Sequence, residues 1–460
     1  MSAVPASEAQ TGQDKLDFKR VLPIFVIVLI DLLGVTIIIP LLPLYATAFG
    51  ATPFMIGLLG AAYPMMQFLA APILGRLSDR YGRKPILLIS QVGTLLGFLL
   101  LGAAGSLWML YLSRLIDGLS GANISTAQAA ITDSTTEKTR TQGLGLVGAA
   151  FGIGFVLGPI IAFATLAVSG NDYRWPAFIA AAFSLTSIFL TWFLFKETLP
   201  ADQRNKDSQR RSFSFGAMIE AVRHPSVGIL LILIFFQQIA FGGLQQFLAL
   251  FSLNRLGLDA SGTAIIFVFV GVLVVLVQGF FIGRWSRRFG DRRLIIAGLG
   301  LLTIGLVMVA LTPQQAVPWY SKAKLTQDMT AERRLAGETP PTQGIQVDVP
   351  SGEDSGWLGL AWVLLAMIPV SIGGGVLSPS INSRITKSVE PTEVGGILGI
   401  SAAFVSGANA IAPVMGGLIW QALGPRWPFW IWGLIMGVLF VVAYVRLRPP
   451  RVAESTPRVV

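Results

Sequence analysis

Three ionisable residues stand where ionisable residues are costly. Asp31, Arg114 and Asp117 fall well inside long apolar runs, whereas Asp133 and Glu197 fall at the ends of such runs. A charge held in a lipid-like interior is paired, faces a polar cavity or carries function. Arg114 keeps its proton under ordinary conditions, so it needs an anion. Asp117 lies three residues on, one helical turn away. Asp31 is the alternative partner, across a contact between the first and fourth apolar runs. Desolvation favours the neutral form of a carboxyl group, and a neighbouring guanidinium favours the charged form. A carboxylate held between these opposed influences can take up and release a proton. Asp31 is the first candidate for that task. The plainer alternatives are a hydrogen-bond acceptor between helices for Asp31 and a static pair for Arg114 and Asp117.

Other chemistry is scarce. The chain has no cysteine and one histidine, His224. Thiolate chemistry, disulfides and Cys or His metal clusters are therefore excluded. His224 reads as a surface residue, with a pH sensor as the alternative. No Gly-rich phosphate loop of the Walker type is present, which argues against ATP. No cofactor is expected; the expected energy source is a proton gradient.

The elements that must position these residues are apolar helices. Of the 460 residues, 53% are hydrophobic and 13% charged, about half the charged share of soluble domains. That composition excludes a soluble enzyme and a disordered chain. Continuous rather than alternating apolar runs exclude an outer-membrane barrel. Runs long enough to cross a bilayer are expected at 21–43, 56–75, 85–104, 107–131, 143–167, 175–195, 226–252, 262–283, 293–311, 358–382, 395–418 and 427–445.

Loop charge orients them. With residues 1–20 in the cytoplasm, 26 of the 34 basic residues fall in inside segments and seven in outside ones, leaving Arg114 within a span. This is the positive-inside pattern. It accounts for the net charge of +10 without a nucleic-acid partner. Trp108, Trp175, Trp357 and Trp427 fall at expected outer ends, where interfacial tryptophan belongs. Residues 1–20 hold no apolar stretch of signal-peptide type, so the first span is expected to act as an uncleaved insertion signal.

The expected organisation is an all-α integral membrane protein of twelve spans. It comprises a cytoplasmic segment 1–20, a first six-helix half 21–195, a linker 196–225, a second half 226–445 and a cytoplasmic tail 446–460. A short amphipathic surface helix is expected at 213–222 in the linker. An outside stretch, 312–357, is Pro-rich and polar; it reads as a solvated insertion, with a small lid as the alternative.

The halves repeat. Residues 75–85 read Gly-Arg-Leu-Ser-Asp-Arg-Tyr-Gly-Arg-Lys-Pro, and 283–293 read Gly-Arg-Trp-Ser-Arg-Arg-Phe-Gly-Asp-Arg-Arg, displaced by 208. Ile-Thr-Asp-Ser at 131–134 matches Ile-Thr-Lys-Ser at 385–388, displaced by 254. Gly158-Pro159 matches Ala412-Pro413 at the same displacement. The jump between the two offsets is the length of the outside insertion within a residue or two. Two parallel halves with a substrate site between them at mid-membrane are one known transporter plan.

These residues resemble the major facilitator superfamily. The stretch 75–85 is similar to its loop 2–3 signature almost position for position. Asp31-Leu-Leu-Gly34 with Pro40-Leu-Leu-Pro43 resembles the first-helix motif of twelve-span drug:proton antiporters. Leu110-Tyr-Leu-Ser-Arg114-Leu-Ile-Asp117-Gly118 resembles their fourth-helix Arg motif, and Gly154-Phe-Val-Leu-Gly158-Pro159 their helix 5 motif. Trp108-Met-Leu-Tyr, Tyr63-Pro-Met-Met-Gln67 and Glu197-Thr-Leu-Pro200 bring the chain near the tetracycline-efflux branch. Departures exist. Runs 85–104 and 293–311 hold none of the acids that branch carries in helices 3 and 9, and Arg287 stands where the first copy has Asp79.

The resemblance implies roles. Gly75, Asp79, Arg80, Gly82 and Arg83 look like a conformational latch, with Asp79 accepting from the start of helix 11 near residues 394–396; the alternative is that these charges only fix topology. Asp31, Arg114 and Asp117 would carry proton coupling. Gly154, Gly158 and Pro159 would let helix 5 bend and pack tightly. Amides scattered through the spans suit a large, mostly apolar cavity for a bulky amphiphile. Gln67, Asn123, Gln245 and Gln246 are the candidate substrate contacts, with interhelical hydrogen bonding as the alternative. Phe241, Phe247 and Phe251 interleave with them on helix 7. The leading expectation is a monomeric plasma (inner) membrane exporter exchanging protons for a lipophilic small molecule by alternating access. A lipid or glycolipid translocator on the same fold is the second reading, and a non-transporting receptor or scaffold the third.

Overall fold

The computed structural model describes residues 18–121, 123–136, 139–200, 204, 215–224, 227–327, 348–350, 354–389 and 394–447. They are almost entirely helical. The first half contains α1 Phe18–Ile38, α2 Leu42–Ala48, α3 Pro53–Tyr81, α4 Arg83–Gly102, α5 Leu107–Ser120, α6 Asn123–Asp133, α7 Arg140–Ser169 and α8 Arg174–Leu194. A short α9, Phe215–Arg223, precedes α10 Gly228–Leu256 and α11 Ala260–Leu276. A π-helical turn, Val277–Phe281, joins α11 to α12 Ile282–Phe289. Then come α13 Asp291–Ala310, a short α14 at 322–327, α15 Leu358–Thr386, α16 Val394–Leu423 and α17 Trp427–Arg446.

Among the described residues, eleven helical stretches have the length and apolarity to cross a membrane. The expected fourth span, 107–131, is a broken one. α5 ends at Ser120, α6 begins at Asn123, and neither piece is long enough alone. The first span also turns, at residues 39–41, because Pro40 has no N–H to give a continuous helix. Several helices overrun the expected apolar runs, as Pro53–Tyr81 does against 56–75. Apolarity stops where the bilayer stops, while helical hydrogen bonding continues into the charged loop.

The two copies of the repeated loop are alike in backbone. α3 passes into α4 through Gly82 at φ 105°, and α12 into α13 through Gly290 at φ 78°. Only glycine takes such angles without strain, so both turns need it. The basic residue two positions past the glycine in each copy closes a neighbouring helix end: Lys84 Nζ donates to the Trp192 carbonyl at 2.8 Å, and Arg292 to the carbonyls of Tyr444 and Leu447. The face carrying these loops is called the motif face below, and the opposite one the insertion face.

The halves meet along two seams, α3 against α16 and α7 against α11. Near the insertion face both are tight. A Cβ at Gly57 would stand 2.3 Å from the Pro413 carbonyl oxygen, and one at Gly417 2.6 Å from that of Pro53. A Cβ at Gly271 would stand 2.7 Å from the Phe155 carbonyl oxygen. Asn171 Nδ2 donates to Asp259 at 3.1 Å, and Ser261 donates back to Asn171 at 2.6 Å, joining the halves again. Toward the motif face, Gly75, Gly148, Gly279, Gly396 and Gly399 have nothing within 4 Å of a Cβ position. The pathway is closed at the insertion face and open at the motif face.

The described parts of the insertion are docked rather than loosely solvated. Val317 N donates to Leu256 O at 3.0 Å, and Asn254 Nδ2 to Asp348 O at 2.8 Å. The Tyr320 ring covers Gly257, and its hydroxyl donates to Pro350 O at 2.9 Å. Among the described residues of the insertion, those around Val317, Tyr320 and Asp348 dock on the end of α10. The amphipathic helix expected at 213–222 is α9.

Candidate functional site

A cavity of about 620 Å³ lies between the halves, lined from α1, α3, α5, α7, α10, α11, α15 and α16. Its two walls differ in chemistry.

The first-half wall holds the charges. Asp31 is 7% exposed, Arg114 4% and Asp117 1%, and all three line the cavity. Arg114 Nη2 stands 3.1 Å from Asp117 Oδ2, so Asp117 is the ion-pair partner of Arg114 in this state. Glycine makes room for the pair: a Cβ at Gly97 would press on the Asp117 Cβ at 2.9 Å. The guanidinium also lies over two rings, Phe98 at 5.5 Å and Tyr63 at 5.9 Å, which stabilises a desolvated cation. Asp31, Asp117 and Arg114 all act electrostatically on the Tyr63 phenol, so the four groups form one coupled corner.

Gln67 belongs to that corner in a structural way. Its Nε2 donates to Gly121 O at 2.6 Å and to the Tyr63 hydroxyl at 3.2 Å. Gly121 ends α5, and its carbonyl would otherwise be an orphan at the helix break. The sequence placed Gln67 among substrate contacts; it lines the cavity with its amide protons already engaged. Gln245 and Gln246 line the cavity, and a Cβ at Gly60 would meet the Gln246 amide at 2.4 Å. The side chain of Asn123 lies outside the described residues.

The polar groups of the second-half wall are amides and hydroxyls set among apolar residues. Gln238 Nε2 donates to Asn409 Oδ1 at 2.9 Å, Ser378 to Gln237 at 3.0 Å and Ser401 to Asn382 at 3.1 Å. These bonds join α10, α15 and α16 in pairs. The cavity is lined by Gln237, Gln238, Asn382 and Asn409, which sequence reasoning left among scattered amides. A polar pair on facing spans was the available signal, but the pairing needed three dimensions. Phe241 lines the cavity, whereas Phe247 and Phe251 turn away. They pack with Trp420 and Phe429 into an aromatic core, where Phe251 and Phe429 meet edge-on at 4.7 Å.

The helix 5 motif acts inside the first half. A Cβ at Gly158 would stand 2.4 Å from Thr36 Oγ1, and one at Gly154 3.5 Å from it. Thr36 is one turn and a residue beyond Asp31 on α1. Gly154 and Gly158 therefore let α7 lie directly against the helix that carries Asp31, beside Pro159 within α7.

At the motif face, Arg83 ties the first-half loop together. It donates to Asp79, to Ser78 Oγ at 3.0 Å and to Asp133 Oδ2 at 2.9 Å. Asp79 was expected to meet the start of α16; in this open state its described partner is Arg83. Arg80 lies over the Tyr81 ring at 5.3 Å. Glu197, carried in the sequence only as part of a resemblance, accepts from Arg83 N at 2.9 Å and Lys84 N at 3.1 Å. It caps the positive end of α4.

The comparisons agree with this geometry. The chain is 27% identical over 425 residues to the class B tetracycline resistance protein of Escherichia coli, covering 92% of this chain and 93% of that one. It is 25% identical over 423 residues to multidrug resistance protein 2 of Bacillus subtilis, covering 90% and 92%. Among solved structures, the nucleoside transporter NupG matches with a TM-score of 0.68 at 13% identity, over 93% of this chain and all of that one. The human organic anion transporter MFSD10 matches at 0.64 and 20% identity, over 92% and 99%. The chain is thus matched over most of its length in both sequence and fold. The sequence profile of the Major Facilitator Superfamily fits residues 24–321 and 355–459, and the chain belongs to that family of membrane transporters.

Proposed function

We propose that this transporter is an exporter that exchanges protons for a lipophilic or amphiphilic small molecule by alternating access. The observation that carries the reading is the buried corner of Asp31, Arg114 and Asp117 at the wall of a largely apolar cavity between the halves. The positive-inside rule puts the motif face and both chain ends in the cytoplasm, so this state is open to the cytoplasm. The relatives' names, tetracycline and multidrug resistance, support a cargo of drug type. The lack of acids in 85–104 and 293–311 argues against tetracycline itself.

The cycle follows from the geometry. Asp117 pairs with Arg114, and Asp31 at the cavity wall is assigned the proton exchange. Substrate enters from the open motif face and lies against the aromatic and amide surfaces. Protonation of Asp31 removes one negative charge from the corner that holds Arg114 and Asp117. A proton gradient supplies about 1.4 kcal/mol per pH unit.

The test is transport by reconstituted vesicles under an imposed pH gradient. Asp31→Asn fixes the neutral form. It should bind substrate and support downhill exchange while failing to concentrate substrate against its gradient. Uphill transport by Asp31→Asn, together with its loss in Asp117→Asn, would move the coupling role to Asp117. Uphill transport by both variants would end the proposal of coupling through this corner.

A further inference from the structure

Five tryptophans mark one level of the insertion face. Trp108, Trp175 and Trp427 stand in the first turns of α5, α8 and α17, and Trp357 stands just before α15, which begins at Leu358. All four are exposed on the surface of the bundle. In a membrane protein that is the place of an indole, with its ring among acyl chains and its N–H among headgroups. The fifth, Trp319, comes from the insertion and not from a span. Its ring meets that of Trp357 edge-on, with centroids 5.4 Å apart. The insertion therefore reaches the level of the other tryptophans.

The described insertion has two unlike faces. Val317 and Leu325 are buried against the bundle, and Tyr320 covers Gly257. Trp319 and Trp357, in contrast, are 53% and 64% exposed, and Leu311 and Leu358 are exposed beside the ends of α13 and α15. Those two helices pack together there, with Trp362 Nε1 donating to Met308 O at 2.7 Å. The apolar surface of the insertion thus runs on into the outward sides of two spans. Exposed apolar surface of this kind marks contact with a membrane or a partner, and continuity with the spans selects the membrane. Two cations stand on the same segment. Lys322 and Lys324 are exposed on α14, and the ion pairs among the described residues all lie elsewhere. They are two of only seven basic residues that the charge count assigns to this side, so orientation in the membrane does not explain them.

We propose that the insertion is an interfacial anchor for the leaflet at the insertion face: Trp319, paired with Trp357, lies at the boundary of headgroups and acyl chains, and Lys322 and Lys324 hold the phosphates of anionic lipid. Docking on α10 fixes the inner face of the segment, which turns Trp319 outward at the right depth. The two lysines follow it by three and five residues, within reach of the headgroup layer above the ring. A basic residue near an anionic lipid surface is attracted to it, and paired aromatic and basic side chains are the usual chemistry of a segment lying in the interface. The anchor concerns the membrane and not the cargo, so it stands apart from the exporter reading.

The chain has no cysteine, so single nitroxide labels can be placed by Trp319→Cys and Ala323→Cys in the full chain, reconstituted in phosphatidylcholine vesicles. Collision with oxygen, which enters the bilayer, and with a neutral nickel chelate, which stays in water, reads the depth of each label. A free nitroxide in buffer gives the aqueous limit, and Val438→Cys, on the exposed side of α17, the bilayer limit. At position 319 nickel collision should fall about three-fold or more below the aqueous limit while oxygen collision stays high, as expected about 5–10 Å into the interface. A water-like nickel value there overturns the anchor. Low collision with both reagents overturns it too, since it means cover by protein, a second copy or a partner. With about a third of the lipid replaced by phosphatidylglycerol, nickel collision at position 323 should fall about two-fold, and Lys322→Gln with Lys324→Gln should abolish that change. No response to phosphatidylglycerol, or the same response without the lysines, overturns the lipid-phosphate contacts. If Trp319→Cys is not monodisperse, Ser321→Cys takes its place with the same expected values.

Discussion

One wall of the cavity is charged and broken; the other is neutral and continuous. The first-half wall holds Asp31, Arg114 and Asp117 beside a span interrupted at Gly121. The second-half wall presents Gln237, Gln238, Asn382 and Asn409 from helices that run unbroken past the cavity. The difference follows from what each wall has to satisfy. A buried ion tolerates only an opposite ion or a dense set of dipoles, so its neighbours are fixed: Gly97 for space, Phe98 and Tyr63 for the cation's faces, Gln67 for the freed carbonyl. An amide can rotate, donate and accept, so it can release its partner for a substrate at modest cost. The charged wall is suited to holding and moving a proton, and the neutral wall to accommodating varied cargo.

Removing the cation should give the largest effect. Arg114→Met leaves Asp117 buried without its partner, and breaking a buried pair from one side costs about 3–5 kcal/mol. The variant should lose thermal stability in detergent, and transport should fall with it. The double variant Arg114→Met with Asp117→Leu should recover most of the stability but none of the coupling. Equal stability of the two variants would show that the pair contributes little to the fold.

The packing of α7 and α16 can be compared next, because the repeat supplies a matched position. Gly158 and Ala412 correspond, and they differ in the one atom that matters. Gly158→Ala drives a methyl into Thr36, including its backbone, and overpacking of this kind costs about 1–3 kcal/mol. It should displace α1, and with it Asp31, so the pH dependence of transport should shift. Ala412→Gly only adds backbone freedom, about 1 kcal/mol, and should leave that dependence in place. Identical pH profiles in the two variants would break the link between the helix 5 motif and Asp31.

A smaller effect is expected on the neutral wall. Gln238→Leu alone strands the Asn409 acceptor. Interhelical hydrogen bonds in membranes average about 0.6 kcal/mol, so stability should change little while the range of substrates changes. A double-mutant cycle with Asn409→Leu would measure the coupling. A coupling as large as that between Arg114 and Asp117 would erase the distinction between the walls.

The sequence showed the charged wall far better than the neutral one. Asp31, Arg114 and Asp117 are legible because ions in apolar runs are rare and demand explanation. The paired glycines at Gly82 and Gly290 are legible through the repeat. The second-half amides are not, because an amide in a span is compatible with any neighbour and only the crossing of α10 with α15 and α16 selects one. The aromatics of α10 divide for a related reason: Phe241 lines the cavity, while Phe247 and Phe251 turn away from it. Helical periodicity says that residues share a face without saying which face meets the lumen. The break in the fourth span was hidden because 107–131 holds no proline and reads as one run, and the carbonyl of Gly121 is satisfied by Gln67, 54 positions earlier on α3.

The insertion is where the halves part company most visibly, and it should matter least to transport. Its described residues dock on the end of α10 through Val317, Asp348 and Tyr320. Burial raises the phenol above its ordinary value, so it stays a hydrogen-bond donor across the neutral range. Tyr320→Phe keeps the ring over Gly257 and loses only the bond to Pro350 O, a change of about 1 kcal/mol or less. Tyr320→Ala also removes the ring and opens the end of α10 to water, so it should cost more, about 3 kcal/mol if the neighbouring residues do not collapse. Neither residue touches the cavity or the two seams. Uphill transport by both variants should stay within a few-fold of the parent once protein amounts are matched, while melting temperature falls in the order Phe, then Ala. A loss of transport by Tyr320→Phe without loss of stability would make the insertion part of the moving machinery and not merely the seal on one helix end.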